Sequence, residues 1–385
     1  MSKYVEINRE CEARRVGRIR IRKGRVTGIL SRRKDCWEVE VVLADGAKKE
    51  KAICYPELTG PVCEGEEVLL NTTACHLNLG SGGYHFIIAS LDGDGSLDLD
   101  GSGHIMKLRY TPLQLKCLAV EEEASPHHQV IKKARDARGL VVVAAPLHSM
   151  LAVVAAVVAR SLPGCRVAYV MTDGAALPIS FSRTVMELKE KGLLCGTVTV
   201  GHAFGGDLEA VNVYSGLLAA RHVLAAQVAV VGMGPGIVGT GTPFGFTGIE
   251  QGQVINAAAT LQSRPVAVPR LSFADPRPRH HGLSHHTLTA LGKVALRPCY
   301  LPLPVLKGEK RELVFRQLEE AGLQRQHQVV EIEAEEITAE ALASYGLRVS
   351  TMGRGWQEDK EYFLACGAAG VLAARLVEME ADKVR

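Results

Sequence analysis

Aromatic residues are scarce, at 5% of the chain. A core with so few rings has to be filled by Val, Ala, Leu and Ile, and a surface that stacks nucleic-acid bases has little to work with. The ten cysteines include no C-x-x-C pair. That excludes a zinc knuckle or a thioredoxin-type motif and fits a reducing, cytoplasmic setting. The opening residues MSKYVEINRECEARR are charged throughout and lack the apolar centre of a secretory signal. One long apolar stretch exists, residues 139–159, but Pro146, His148 and Ser149 interrupt it. It reads as a buried strand, a turn and a buried helix, so no membrane partner is expected.

What is present is ordinary globular material. The 385 residues are 47% hydrophobic and 23% charged, enough for a large core and for more than one domain. The net charge of +3 is unevenly spread. Residues 1–34 hold twelve Lys/Arg against three Glu, a balance of +9, which leaves −6 (3 − 9) for the rest.

Residues 14–115 read as all-β. Arg18, Arg20 and Arg22 alternate with Ile19 and Ile21, the period of a half-buried strand. Further strands are expected at 24–31, 37–43, 48–54, 67–71 and 84–90, with Asp45-Gly46 as a hairpin turn. The expectation is a small antiparallel β-barrel of OB or SH3-like size over residues 1–120. Residues 121–138 read as a linker. The stretch 92–101, DGDGSLDLDG, resembles a calcium loop, but Leu97 and Gly103 occupy the positions of the turn glycine and the bidentate glutamate. It reads as an acidic turn.

From residue 139 to 385 the pattern becomes strand, loop, helix, repeated. Strands are expected at 140–145, 166–171, 196–201, 228–232, 265–270, 294–297, 328–332 and 347–351. Helices are expected near 149–162, 179–191, 208–225, 249–261, 284–293, 310–321 and 359–377. This predicts a doubly wound, mostly parallel, Rossmann-like α/β domain. In such a sheet ligands bind outside the carboxyl ends of the strands. The loops expected there are 146–150, 172–176, 201–207, 232–248, 271–286 and 351–359, and five of the six carry His, Asp or Arg.

Two of these loops stand out. Residues 226–248 run from an apolar strand into a loop with glycines at 232, 234, 236, 239, 241, 245 and 248, which lets backbone N–H groups approach a ligand. The helix expected at 249–261 would turn its positive end toward it. Gly234, Gly236 and Gly239 fit G-x-G-x-x-G, but Pro243 delays the helix and Arg270 stands where an acidic residue should end the next strand, so NAD(P) is disfavoured. No lysine follows the last glycine, which excludes a P-loop NTPase. An anion cradle with Thr240, or a turn needing glycine for packing, remains. The second loop, ADPRPRHHGLSHH, has four histidines within seven residues. Ser284 can cap the next helix and place His285 and His286 in its first turn, with Arg277 and Arg279 to hold an anion. Acid–base candidates are Asp173, His202, Asp207, Asp275, His281 and His285. A divalent metal held by imidazoles with Asp275, Asp173 or Asp207 is an alternative, although no metal-binding spacing motif is present. Asp207 is equally placed to cap a helix expected to follow it, and the histidine loop equally reads as self-bonded structure.

The stretches YPELTGPVCEGEEVLLNTTA, TDGAALPISFSRTV, GHAFGGDLEAVNVYSGLLAARHV, GMGPGIVGTGTPFGFTG and SFADPRPRHHGLSHHTLTALG resemble a bacterial family known only as a domain of unknown function, DUF3866. The resemblance covers nearly the whole chain. It implies this two-part layout and supplies no activity, substrate or site residue.

The expected function is binding, or binding with turnover, of a phosphorylated or anionic small molecule at the carboxyl edge. A nucleic-acid-binding or regulatory role through the basic N-terminal strand is the alternative. A third reading is an assembly or scaffold protein, such as a homo-oligomer that buries the edge loops.

Overall fold

Cys36–Leu43 turns Val39 and Val41 fully inward while Trp37, Glu40 and Val42 stay partly exposed, as a strand with one face on a core requires. The same logic builds a barrel from β1 (Ile21–Arg33), β2 (Cys36–Leu43), β3 (Lys49–Cys54), β4 (Glu67–Asn71) and β5 (Tyr84–Ser90). The computed structural model describes residues 19–80, 82–92 and 101–384. They form two compact units, divided between Asp100 and Gly101.

The first unit is a closed barrel in the order β1-β2-β3-β5-β4, the arrangement of an OB barrel rather than an SH3-like one. It is not wholly antiparallel, because β3 pairs with β5 in parallel. β1 is one long strand with register shifts after Val26 and Ile29. Those irregularities bend it so that it pairs with both β2 and β4. The parity expected for its start is reversed. Ile19 and Ile21 are 55% and 50% exposed, because the register sets Gly24 opposite Val68 and Arg22 opposite Leu70, on the inward side. Arg18 and residues 93–100, including most of the acidic turn, lie outside the described residues.

The second unit is an eight-stranded sheet in the order β11-β10-β9-β12-β8-β13-β16-β17. Every pair in it is parallel. Its strands are β8 (Val141–Ala144), β9 (Val167–Thr172), β10 (Gly196–Val200), β11 (Leu208–Ala210), β12 (Val228–Met233), β13 (Arg264–Ala267), β16 (Tyr300–Pro304) and β17 (Gln328–Ile332). The central strands are apolar on both faces. Val141, Val143, Val228 and Val230 join one core with α1 (Leu151–Ser161), α2 (Arg183–Glu190), α7 (Glu335–Ser344) and α8 (Lys360–Val384). Val142, Ala144, Ala229 and Val231 join the other with α3 (Val213–His222), α4 (Glu250–Thr260) and α6 (Gly308–Glu320). The sheet is therefore doubly wound, as its apolar runs predict. The chain leaves β8 and β9 toward the first face and β12 toward the second, so β12 lies between strands wound the other way. Ligand crevices open at such a switch point. Residues 139–159 become β8, a 3-10 turn and α1, as expected. Among the described residues one helix, within Lys360–Ala381, is long and apolar enough to cross a membrane, and 83% of its apolar window is buried inside the fold.

Residues 101–138 group with the sheet unit, not with the barrel or a free linker. The hairpin of β6 (Ile105–Lys107) and β7 (Leu115–Cys117) sends the ammonium of Lys107, 1% exposed, to the carbonyls of Thr199 and Ala203 and to Glu209. The acidic run also binds here: Glu122 accepts from the amides of Ala119 and His104, and Glu121 from that of Val211. Three secondary-structure expectations are corrected. Residues 208–210 are strand β11, and the helix begins later, at Val213, capped by Asn212. Residues 294–297 are not a strand. Asn256 binds the Val294 carbonyl and the Leu296 amide, and the sheet strand is Tyr300–Pro304. Residues 347–351 stay outside the main sheet, and Ser350–Thr351 pairs only with Arg354–Gly355.

Candidate functional site

Loops from the carboxyl ends of β8, β9, β10, β12 and β13 meet one another. The Ala176 amide donates to Pro235 (3.1 Å), the His202 amide to Asp173 (2.9 Å) and the Thr172 hydroxyl to Glu250 (2.6 Å). The sixth loop, 351–359, joins through Asp359, which accepts from Ser272 (2.8 Å), and Arg354, which pairs with Asp275 (3.5 Å). The candidate residues separate into two groups.

The first group is the histidine loop. The short ladder of Leu271–Ser272 with Gly282–Leu283 closes its base. A 3-10 turn, Pro278–His280, turns His280 inward and leaves His281 outside, against Phe273. Ser284 caps the following helix by accepting from the His286 amide (3.1 Å), and its hydroxyl meets Nδ1 of His280 at 2.6 Å. That helix has only five residues, His285–Thr289, and continues as a π-turn, so the expected dipole contribution is small. His280, His285 and His286 come together, with one ring nitrogen of each within 4.8 Å of the others. Phe246 of the glycine loop stacks on His286, 3.9 Å between ring centres. Arg270, 4% exposed, donates toward Nδ1 of His286 at 3.3 Å. Burial, then the positive charge of Arg270, pushes His280 and His286 down to about 3. Burial lowers His285 as well. The Arg279 backbone opposes that, although neither ring nitrogen of His285 has a hydrogen-bond partner of good geometry.

The glycine loop reaches the same place. A Cβ on Gly239 would stand 3.2 Å from His286, and one on Gly241 would stand 3.6 Å from the Arg279 guanidinium. Gly239, Thr240 and Gly241 are exposed. Gly234 does a different job, because a Cβ there would meet the Ala176 carbonyl at 2.6 Å. It is glycine for packing, and Gly236 is exposed with a φ of 110°. Asp275 is buried in an arginine cage, with Arg277 at 2.7 Å, Arg270 at 3.3 Å and Arg354 at 3.5 Å. Burial alone would raise its carboxyl, but the Arg277 hydrogen bonds outweigh that and hold it well below the usual range. Asp275 and Arg277 therefore hold the loop together, and the Asp275 carboxylate is not offered to a ligand.

The second group lines a cavity of about 220 Å3 with Thr172, Asp173, Gly201, Asn212, Glu250 and Gln253. Gly201 is in the left-handed region (φ 64°), and a Cβ there would meet Asp173 at 2.3 Å. The start of α4, expected to face an anion, carries Glu250 instead. Burial, assisted by Asp173, pushes the Glu250 carboxyl up to about 7. His202 is tied back, its Nδ1 accepting from the Leu108 amide (3.0 Å). Asp207 caps no helix; it holds the amide and hydroxyl of Thr197 (2.9 Å each) and pairs with Lys189. Asp173 and Asp207 thus sit in contacts apart from the three imidazoles, and Asp275 is fully engaged, so none joins the histidines in a metal set. Sequence reasoning passed over His280, Arg270, Phe246 and Glu250. Only His280 had a signal, its place in the histidine run.

Glu250 supports a pH prediction. Its folded value near 7 lies above the ordinary 4.5, so the folded state holds the proton more tightly. That stabilisation is complete at low pH and is lost as the pH rises through about 7. Glu250→Gln is uncharged throughout. Its melting temperature should gain on the wild type between about pH 6 and about pH 8, and thermal melts at the two pH values read this directly. A gap that does not change with pH would refute it.

No curated protein and no solved structure matches the chain. A family model described as "Protein of unknown function (DUF3866)" matches residues 51–370, taking in part of the barrel and nearly all of the sheet unit. The chain belongs to that family.

Proposed function

We propose that the protein binds a phosphorylated or otherwise anionic small molecule at the carboxyl edge of the parallel sheet, between the glycine loop and Arg279. One observation carries this. Arg279 is exposed, makes no ion pair among the described residues, and lies against the bare backbone of Gly241. The Gly239 and Gly241 amides beside it are not used by the fold's own backbone bonds among the described residues. A guanidinium and free amides on one exposed edge are donors suited to phosphate or carboxylate oxygens. Glu250, on the same edge and near neutrality, has the proton affinity that acid–base turnover at pH 7 needs.

A thermal-shift screen against inorganic phosphate, nucleotides and sugar phosphates tests the reading. A ligand at a hundred times its dissociation constant should add about 2.7 kcal/mol of stability. The shift should fall to about half or less in Arg279→Ala. If no anion shifts the melt, the reading fails.

The OB order of the barrel supports a second reading, in which the first unit grips an oligonucleotide. Its charges argue less for it. Arg25 pairs with Glu67 and Arg33 with Glu38, while Arg22 pairs with Asp45. A salt-sensitive RNA shift that is lost when Arg20, Arg22 and Lys23 are changed to Ala would favour it.

A further inference from the structure

We propose that His280, His285 and His286 together bind one divalent transition-metal ion of the zinc type. The inference deepens the reading of the same edge as a ligand site, yet it can fail separately from it.

Both ring nitrogens of His285 and Nε2 of His286 are buried without a hydrogen-bond partner, and His280 and His286 are 1% and 4% exposed. A buried polar atom left unpaired destabilises the fold. Two imidazoles with unpaired nitrogens, gathered with a third, share one solution, a cation that accepts a lone pair from each. Zinc–nitrogen bonds of about 2.0–2.1 Å in tetrahedral geometry put ligand nitrogens about 3.3 Å apart. The present nitrogens, within 4.8 Å of one another, need only a small closure to reach that.

The surroundings suit the role with one adjustment. If Nδ1 of His280 carries its proton toward Ser284 (2.6 Å), Nε2 is free to ligate, the usual second partner of a metal-bound imidazole. Phe246 stacked on His286 fixes its plane, and Gly239, where a Cβ would stand 3.2 Å from the ring, leaves it room. Ligation by Nε2 of His286 puts that ring's proton on Nδ1, so the 3.3 Å contact from Arg270 opens. Arg270 keeps its ion pair with Asp275. Three neutral imidazoles favour zinc, cobalt, nickel or copper over magnesium or calcium. Three protein ligands also leave a coordination position open, the pattern of catalytic rather than structural zinc. The neighbouring arginines oppose a bare dication, so an anion in the open position should tighten metal binding.

The test uses the full chain, stripped with a chelator and titrated with Co2+ alone. The expected result is one equivalent bound, with the visible absorption of a four- or five-coordinate cobalt site, and displacement by Zn2+. The absorption should be lost in His285→Ala and His286→Ala and retained in His281→Ala, an exposed neighbour outside the trio. Thermal melts confirm that the variants are folded, and His285→Gln replaces any alanine variant that is not. The proposal is overturned if Co2+, Zn2+ and Ni2+ all fail to bind stoichiometrically, or if binding survives His285→Ala or its Gln replacement. Phosphate binding to the chelated protein without any Co2+ binding would leave the anion reading standing and remove the metal. Co2+ binding without phosphate binding would do the reverse.

Discussion

Replacing Lys107 by Met should lower the unfolding free energy of the sheet unit by about 3–5 kcal/mol. The Lys107 side chain is 2% exposed and is held by the carbonyls of Thr199 and Ala203 and by Glu209. Removing it strands those carbonyls and leaves the Glu209 carboxylate, 13% exposed, with only the Thr199 hydroxyl (2.7 Å) and the Gly205 amide (2.7 Å). A surface pair such as Arg25–Glu67, 59% and 47% exposed, is worth about 0–1 kcal/mol, so the contrast between the two sites is large. The double variant Lys107→Met, Glu209→Gln should recover part of the loss, because it removes both charges. Denaturant unfolding measures all three. A loss below about 1 kcal/mol in the single variant would mean that the 105–117 hairpin is not anchored through this ammonium.

Asp275→Asn should cost a similar amount, about 3–5 kcal/mol, and should loosen the histidine loop. The carboxylate is 1% exposed and faces three guanidinium groups. Without its charge, Arg270 stays buried with only neutral acceptors beside it, the introduced amide oxygen and Nδ1 of His286. The sign of the acid dependence follows. Because the folded carboxyl is held well below its ordinary 3.8, its contribution is present above about pH 4 and is lost as the pH falls below that. The wild type should therefore lose stability on acidification that Asp275→Asn lacks. Denaturation at neutral and acid pH, with amide exchange of residues 273–286, checks both points. Equal acid sensitivity in the two proteins would contradict the cage. Loss of ligand binding in this variant would report a collapsed loop rather than a lost catalytic group.

The legible parts of the fold were those with a strong local period or a long apolar run. The Val141–Ala144 and Val228–Met233 runs read as buried parallel strands, and they are. Strand β11 has three residues, and its apolar neighbours in the following helix absorbed it. Asn212, which caps α3 through the Tyr214 amide (2.9 Å), was its only local marker. Residues 294–297 looked like a strand because they are apolar, but a single asparagine supplies the backbone partners that a sheet would have given. In the site, composition pointed to the histidine loop, but to His281 rather than His280 as an acid–base candidate, and His281 stands outside. A 3-10 turn decides that, and the turn depends on tertiary closure by the 271–272 and 282–283 ladder. Arg270 was read only as a residue that spoils a dinucleotide fingerprint. Its burial beside His286 comes from packing that no local pattern encodes.

The account rests most on an anion site at the carboxyl edge, and calorimetric titration of inorganic phosphate into wild type and Arg279→Ala tests it most directly. A lost charge-assisted hydrogen bond of about 1.5–3 kcal/mol corresponds to weakening of roughly 10- to 100-fold. The predicted result is saturable one-to-one binding to the wild type, weakened by that factor in a variant that melts normally. Equal affinity in the two proteins, or no binding to either, would contradict it.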